Sequence, residues 1–467
     1  METQKEVVKL VQEKDIRILD LCHMPEDGRL KTLSFAVKNR DRLQKILELG
    51  ARVDGSSLFS CVESKDSDIY VVPRPETAFI DPFSPIPTLK ILCDYLDENG
   101  KTLEIAPSGI LSRAVEKLRS SSNVMLKALA ELEFYIIGLL QGEIIKSENS
   151  ENNYHESAPL ARFEIMRNEA LVILDQLNIA SKYGHAEVGR CVTKNGRIME
   201  QHEIELLPQV PSKMAENTIL LKWIMRNVCS KHGASVSFSP KPALEHAGNG
   251  MHLHFCGLRR GRNIILDSEG NLTSEARQMI GGILKFAPSL TAFGNPIPVS
   301  YLRLISRRES PIHVSWGAKD RLALIRIPLL WNFRTFRETE DCLRTFEFRA
   351  PDPVANIHLL LAGIAVAIEY GLSHSKEAID VAEELNTDKI SSEAKEYKLL
   401  PLSCRESAEN LKRDRKHYEI DGIFPEKVID GIVNKLKSYP DQDAQEMLGD
   451  SSRIKIQELL SRYLYHG

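Results

Sequence analysis

The chain has 467 residues, of which 42% are hydrophobic and 27% charged, with a formal net charge of −4 at pH 7. That length exceeds one compact core, so two domains are expected, and the composition is that of an ordinary globular enzyme. Lacking a basic excess, the sequence excludes nucleic acid as a general partner.

Read in chain order, residues 1–20 predict an amphipathic helix running into a strand, not a secretion signal. Strands are expected at 16–22, 30–37, 69–72 and 90–95, and Asp-Glu-Asn-Gly at 97–100 marks a hairpin turn. Between them, Val53-Asp54-Gly55-Ser56-Ser57 is a turn-forming loop, and the proline-rich stretch 73–87 runs extended. Residues 1–105 therefore read as a small α+β domain, with a larger domain over 106–467. In that larger domain a helix over 109–120 leads to a strand from Ala130, and the polar stretch 146–157 is a loop. Helices are expected at 160–177 and 215–232. Asn195-Gly196 is a hairpin signal that would pair the strands bearing Glu187 and Glu203.

The longest apolar run, Leu359–Ile368, is too short to cross a bilayer, so no membrane partner is expected. Asp352-Pro353 before it suits the cap and first turn of a buried helix. Residues 375–467 are charged and helix-rich, and 411–421 read as a solvated helix face. The eight cysteines, at 22, 61, 93, 191, 229, 256, 342 and 404, form no CxxC motif. They suggest reduced thiols in a cytoplasmic protein, not a disulfide framework or a zinc module.

Polar pairs spaced by two stand in otherwise apolar sequence: Glu131/Glu133, His185/Glu187, Glu203/Glu205, His252/His254 and Glu347/Arg349. That spacing puts both members of a pair on one face of a strand. One such pair is ordinary for a strand with a wet face. Together they would crowd carboxylates and imidazoles onto one surface, and such charge calls for divalent cations. A metal site spread across distant strands follows.

The segments FSPKPALEHAGNGMHLHF, NPIPVSYLRL, RESP, KDRLALIRIP and EFRAPDPVAN, in that order, resemble the glutamine synthetase family of the bacterial type I/β kind. The resemblance runs from about residue 16 to 372 and more weakly beyond. It implies an α+β protein with a small N-terminal β-grasp domain and a C-terminal catalytic domain, a curved antiparallel sheet flanked by helices. It further implies a double-ring homo-oligomer, a dodecamer, with active sites shared between subunits. The activity implied is joining of ammonium, or another amine, to the γ-carboxylate of L-glutamate through γ-glutamyl phosphate at the expense of ATP. Two Mg²⁺ or Mn²⁺ per site are implied, with a third allowed with the nucleotide.

Carried onto this sequence, the resemblance implies Glu133, Glu187 and Glu203 as ligands of one metal and Glu131, His252 and Glu347 as ligands of the other. Arg303, Arg349 and Gly248 would hold the substrate carboxylate, while Arg321 and Arg326, with His254 and Cys256, would serve ATP and its phosphates. Glu309 matches a flap glutamate shielding the acyl phosphate, and Asp54 the carboxylate that binds and deprotonates ammonium, with Ser57 and Tyr154 as neighbours.

The sequence also departs from the family. Ala247 stands where asparagine is usual, Arg308 where tyrosine is usual, Cys256 where a serine is common, and Pro107-Ser108 replaces Pro-Arg. The separation of Glu187 and Glu203 is long, leaving Glu200 and Glu205 as alternatives to Glu203. A phosphate ligand within 329–346 is left between Arg337 and Arg344, and Tyr397 is displaced from the expected modification site. Two other functions stay open: a ligase for larger amines such as polyamines or ethanolamine, and a non-catalytic assembly protein.

Overall fold

The structure, a computed structural model, describes residues 3–139, 151–193, 196–267, 269–306, 310–318, 320–328, 344–388, 397–440 and 453–467. The chain divides into two compact units, 1–110 and 111–467.

The first unit opens with the helix Gln4–Glu13, whose N-terminus is closed by a capping box between Thr3 and Glu6. Its strands are β1 (Ile18–His23), β2 (Lys31–Ala36), β3 (Ala51–Asp54), β4 (Asp68–Pro73), β5 (Phe79–Ile80) and β6 (Thr88–Leu96). They form one sheet in the order β2-β1-β6-β4-β3, with β5 on β6 and only β1–β6 parallel. The turn after β6 is closed by Asp97 N–H donating to the Lys101 carbonyl at 2.8 Å, with Gly100 at φ +74°. The helix Arg40–Leu49, absent from the sequence reading, is capped by Asn39 and buries only Leu43, Ile46 and Leu47. Its charged character hid that narrow stripe. Under the sheet, buried Lys90 lies 2.6 Å from Asp20 and 3.3 Å from Asp81, so one ammonium neutralises two carboxylates.

The second unit is built on β7 (Met125–Leu139), β8 (Ser181–Val192), β9 (Arg197–Leu206), β10 (Ser235–Ser237) and β11 (Met251–Arg259), followed by β12 (Arg262–Asn263), β13 (Trp316–Ala318), β14 (Ile325–Ile327) and β15 (Phe346–Phe348). The order is β13-β14-β15-β11-β7-β9-β8, with β10 on β7, β12 on β11 and only β13–β14 parallel. β8 and β9 form the expected hairpin, with Gly196 at φ +71° and Thr193 N–H on the Arg197 carbonyl at 2.8 Å; Asn195 lies outside the described residues. Along it, Ala186 pairs with His202 but Arg190 with Glu200, so β8 spends four steps where β9 spends two. That bulge carries Glu187 and explains its long sequence separation from Glu203.

Helices cover the sheet, among them Glu164–Gln176, Pro211–Lys231, Ser274–Gly294 and Ile357–Ser373. The last is buried as expected, but its cap is Asn356, which accepts from His358 N at 3.1 Å and Leu359 N at 3.3 Å. Asp352, expected in that role, instead accepts from Val354 N and the Asn295 side chain, five residues before the helix begins. Ser274–Gly294 and Ile357–Ser373 cross closely, since a Cβ on Gly282 would stand 2.1 Å from the Ala367 carbonyl oxygen. Among the described residues no single helix is long and apolar enough to cross a membrane.

Candidate functional site

Strand register assembles the site. Glu205 of β9, Glu131 of β7 and His252 of β11 stand opposite one another in one cross-strand row. His185, Glu203 and Glu133 form the next row, while His254, Glu347 and Arg326 form a third across β11, β15 and β14. The alternation that buries Leu132, Phe134, Leu253, Phe346 and Phe348 thus turns every member of these rows to one face.

On that face two groups have donor atoms within 4.8 Å of one another: Glu131, His254 and Glu347, and His185, Glu187 and Glu203. His254 Nε2 donates to Glu131 Oε1 at 2.9 Å and His252 Nδ1 to Glu131 Oε2 at 3.0 Å. His185 Nε2 is 3.2 Å from Glu203 Oε1, and its Nδ1 is 3.6 Å from Glu187 Oε1. Glu133 and His252 stand between the groups, 3.9 Å apart. The expected pairings of Glu131 with Glu347 and of Glu187 with Glu203 are therefore present. His254, expected beside the nucleotide, and His185, assigned no role, join these clusters. Glu205 is occupied by Lys182 Nζ at 2.8 Å. Glu200 faces the other way, bonded to His202 Nε2 at 2.9 Å and to the Phe163 N–H at 3.1 Å.

The electrostatics divide along the same line. Burial opposes ionisation of Glu131, but the His254 and His252 imidazoles outweigh it and hold its carboxyl well below the usual range. Burial likewise opposes ionisation of Glu347, and the Arg349 guanidinium outweighs it and lowers that carboxyl. Burial and repulsion from Glu203 and Glu133 push Glu187 up to about 9. Burial and the neighbouring Glu131 and Glu133 raise Glu203 well above the carboxylate range. Such protonation signals missing positive charge, and the donor set of carboxylate oxygens with imidazole nitrogen fits Mg²⁺ or Mn²⁺.

Beside the cluster, Glu133, Glu187, Val188, Gln201, Ala247, Gly248, His252 and Arg303 line a narrow pocket. Buried Arg303 donates to the carbonyls of Ala350 at 2.8 Å, Pro351 at 3.2 Å and Arg349 at 3.2 Å, bracing the chain after β15. Arg349 bonds Glu347, and Arg326 Nη1 donates to the other oxygen of Glu347 at 3.1 Å. Arg321 is exposed in the loop before β14, and Cys256 is buried on β11. At Ala247 the N–H donates to Glu151 Oε2 at 3.1 Å and the carbonyl accepts from Tyr135 Oη at 2.8 Å. Tyr154 is exposed, stacked on His155 at 4.1 Å and edge-on to His185 at 5.4 Å.

Asp54 and Ser57 belong to the first unit. Asp54 accepts from Ser57 Oγ at 2.7 Å and from Ser56 Oγ at 2.7 Å, bonds that hold its carboxyl at about 2. Glu309, Arg308 and Arg337 lie outside the described residues, while Arg344 is described and its carbonyl accepts from Asn263 Nδ2 at 2.8 Å. The sequence reading missed Gln201 and Asn249, both fully buried beside the cluster. Gln201 lies two residues before Glu203, so the spacing that marked the acidic pairs already placed it on their face.

Residues 104–447 match the family model for the glutamine synthetase catalytic domain and 15–98 that for the glutamine synthetase beta-grasp domain. Glutamine synthetase of Pyrococcus abyssi is 31% identical over 432 residues, covering 91% of this chain and 92% of that protein. The Thermotoga maritima enzyme of the same name is 30% identical, covering 99% of this chain and all (100%) of its own length. In structure, the chain is similar to glutamine synthetase of Plasmodium falciparum (TM-score 0.77, 20% identity, 99% of this chain and 97% of that one). A ligand-free GmaS is also similar (TM-score 0.75, 21% identity, 97% and 99%).

Proposed function

The chain belongs to the glutamine synthetase family and is an ATP-dependent carbon–nitrogen ligase, and we propose how its residues divide that reaction. The observation that carries the assignment is the single sheet face on which Glu131, Glu133, Glu187, Glu203, His252, His254 and Glu347 converge, with two of the acids driven to hold protons.

Amide formation replaces a poor leaving group, hydroxide, with phosphate. The glutamate γ-carboxylate attacks the γ-phosphoryl group of ATP, ADP leaves, and the resulting acyl phosphate is attacked by the amine, which expels phosphate. Two Mg²⁺ or Mn²⁺, when bound, neutralise charge on the transferring phosphoryl oxygens. Glu187, Glu203 and Glu133, with His185 beside them, would hold one, and Glu131, Glu347 and an imidazole of His252 or His254 the other. Arg349, which shares Glu347 with Arg326, would meet anionic substrate as well. Arg303 fixes the backbone around it, and the Gly248 backbone, packed too closely on Pro240 and Arg303 to carry a side chain, would meet the amino-acid end of glutamate. Arg321, exposed, would reach for phosphate, and Glu309 would close over the acyl phosphate. Asp54 stays ionised at any physiological pH, which suits it to attract ammonium; so weak a base would take the ammonium proton only as the amine is consumed at the acyl phosphate, with Ser57 and Tyr154 beside the amine. Because Asp54 sits in the small unit, we propose a homo-oligomer in which that unit completes a neighbour's site.

The test is phosphate release with glutamate, ATP and Mg²⁺ or Mn²⁺, ammonium being compared with polyamines, ethanolamine and aromatic amines. Ammonium is expected to be the acceptor. Turnover with a larger amine alone would move the assignment to a γ-glutamyl-amide ligase, and no phosphate release with any amine would leave a non-catalytic protein. Glu133→Gln should abolish metal-dependent turnover with the assembly intact; unchanged turnover would remove Glu133 from the ligands.

A further inference from the structure

Gln201 lies on β9 with 1% of its surface exposed, between the carboxylate cluster and the loop 247–250. Its amide nitrogen is within hydrogen-bonding distance of three acceptors: Glu133 Oε2 at 3.2 Å, the Gly248 carbonyl at 3.0 Å and Asn249 Oδ1 at 3.3 Å. Its amide oxygen accepts from the Gly189 N–H at 3.0 Å. Three acceptors on one side and a donor on the other leave a single orientation, because a flipped amide would set oxygen against three oxygens.

The consequence falls on Glu133. Its Oε2 accepts from Gln201 and from the Gly250 N–H at 2.7 Å, so both donors engage one oxygen. The other oxygen, Oε1, is thereby turned toward His252. Asn249 anchors the far end of the link: its side chain donates to the Ser239 carbonyl at 2.9 Å and the Ser237 carbonyl at 3.3 Å. The same loop carries Gly248, whose missing Cβ would stand 2.4 Å from the Pro240 carbonyl oxygen and 3.0 Å from the Arg303 side chain.

We infer that Gln201 is a positioning residue that fixes the metal-facing oxygen of Glu133 and the substrate-facing Gly248 backbone through one amide group. This rests on the proposed placement of metal at Glu133 and of glutamate at Gly248. Metal and amino acid then meet in a set geometry because one rigid link spaces them, the role that outer-sphere hydrogen bonds play around metal ligands.

The test is Gln201→Met, which keeps length and volume but donates nothing. Thermal unfolding of the metal-free protein, Mn²⁺ affinity by titration calorimetry and the glutamate KM are measured together. Mn²⁺ affinity is expected to fall by about 10- to 100-fold, and the glutamate KM to rise several-fold. A variant with lowered thermal stability but unchanged Mn²⁺ affinity and KM would make Gln201 merely structural. A change in only one of the two also overturns the inference, since a single amide is argued to serve both. Should Gln201→Met fail to fold, Gln201→Asn, which draws the amide back by one methylene, is read the same way. Glu133→Gln in parallel separates the two levels: if it leaves Mn²⁺ affinity intact, the metal placement fails; if it abolishes binding while both Gln201 variants do nothing, only this inference fails.

Discussion

At the scale of single residues, Glu187 and Glu203 are carboxylic acids kept protonated by burial and by their acidic neighbours. A carboxylic acid must lose its proton before it can ligate, so metal binding has to expel protons. Mn²⁺ binding at pH 7.5 is therefore expected to release protons, and its affinity to rise with pH up to about 9, where Glu187 ionises unaided. Calorimetry in buffers of different ionisation enthalpy reads this directly, and a binding heat independent of buffer would contradict it. The acidic pairs were legible in the sequence because strand parity is a two-residue rule that needs no coordinates. Which imidazole joins which carboxylates was not. That depends on cross-strand register, which sets His254 opposite Glu347 and His185 opposite Glu203.

At the scale of elements, the β8–β9 hairpin does more than join two carboxylates. Its bulge brings the backbone of Gly189 against the phenol of Tyr135, where a Cβ would stand 1.8 Å from Oη and 2.7 Å from Gln201 Oε1. Gly189→Ala must displace Tyr135, which is fully buried and bonded to Ala247. A stability loss of about 1–3 kcal/mol is expected in denaturant titration, as for other overpacked cores, and a variant as stable as the parent would show that the bulge adapts freely. The hairpin itself was foreshadowed by Asn195-Gly196. The bulge was not, because two extra residues in one strand leave no mark on its hydrophobic pattern. The helix Arg40–Leu49 escaped for a related reason, since three buried side chains among charges make too faint a period.

At the scale of the whole molecule, the two units differ in what limits them. In the first, buried His23 is bonded through Nδ1 to Tyr95 Oη at 2.6 Å, and burial lowers its pKa to about 4. The unfolded chain takes that proton near the ordinary value of 6.5, the folded one only near 4, so the stability from this site is whole above 6.5 and lost as pH falls between them. The loss amounts to roughly 3 kcal/mol. His23→Gln should flatten this part of the pH–stability curve, and an unaltered slope would clear His23. The two units also carry different parts of the proposed chemistry, Asp54 in one and the metal-binding acids in the other. If sites are shared between subunits, Asp54→Ala and Glu133→Gln should each be inactive, yet co-assembled mixtures should recover phosphate release. Mixed oligomers without activity would confine each site to one chain.

The acids that would grip the cations are contributed by β7, β8, β9 and β15, strands from both ends of the second unit's sheet-forming sequence. A nascent chain still lacking Phe346–Phe348 already owns Glu133, Glu187 and Glu203 but not Glu347, so the Glu131 group stays open until β15 pairs with β11 across a wide sequence separation. Magnesium in the cell would therefore be held first by the acids of β7, β8 and β9, while a second ion would reward only chain long enough to have added β15, pulling that late segment forward as it leaves the ribosome.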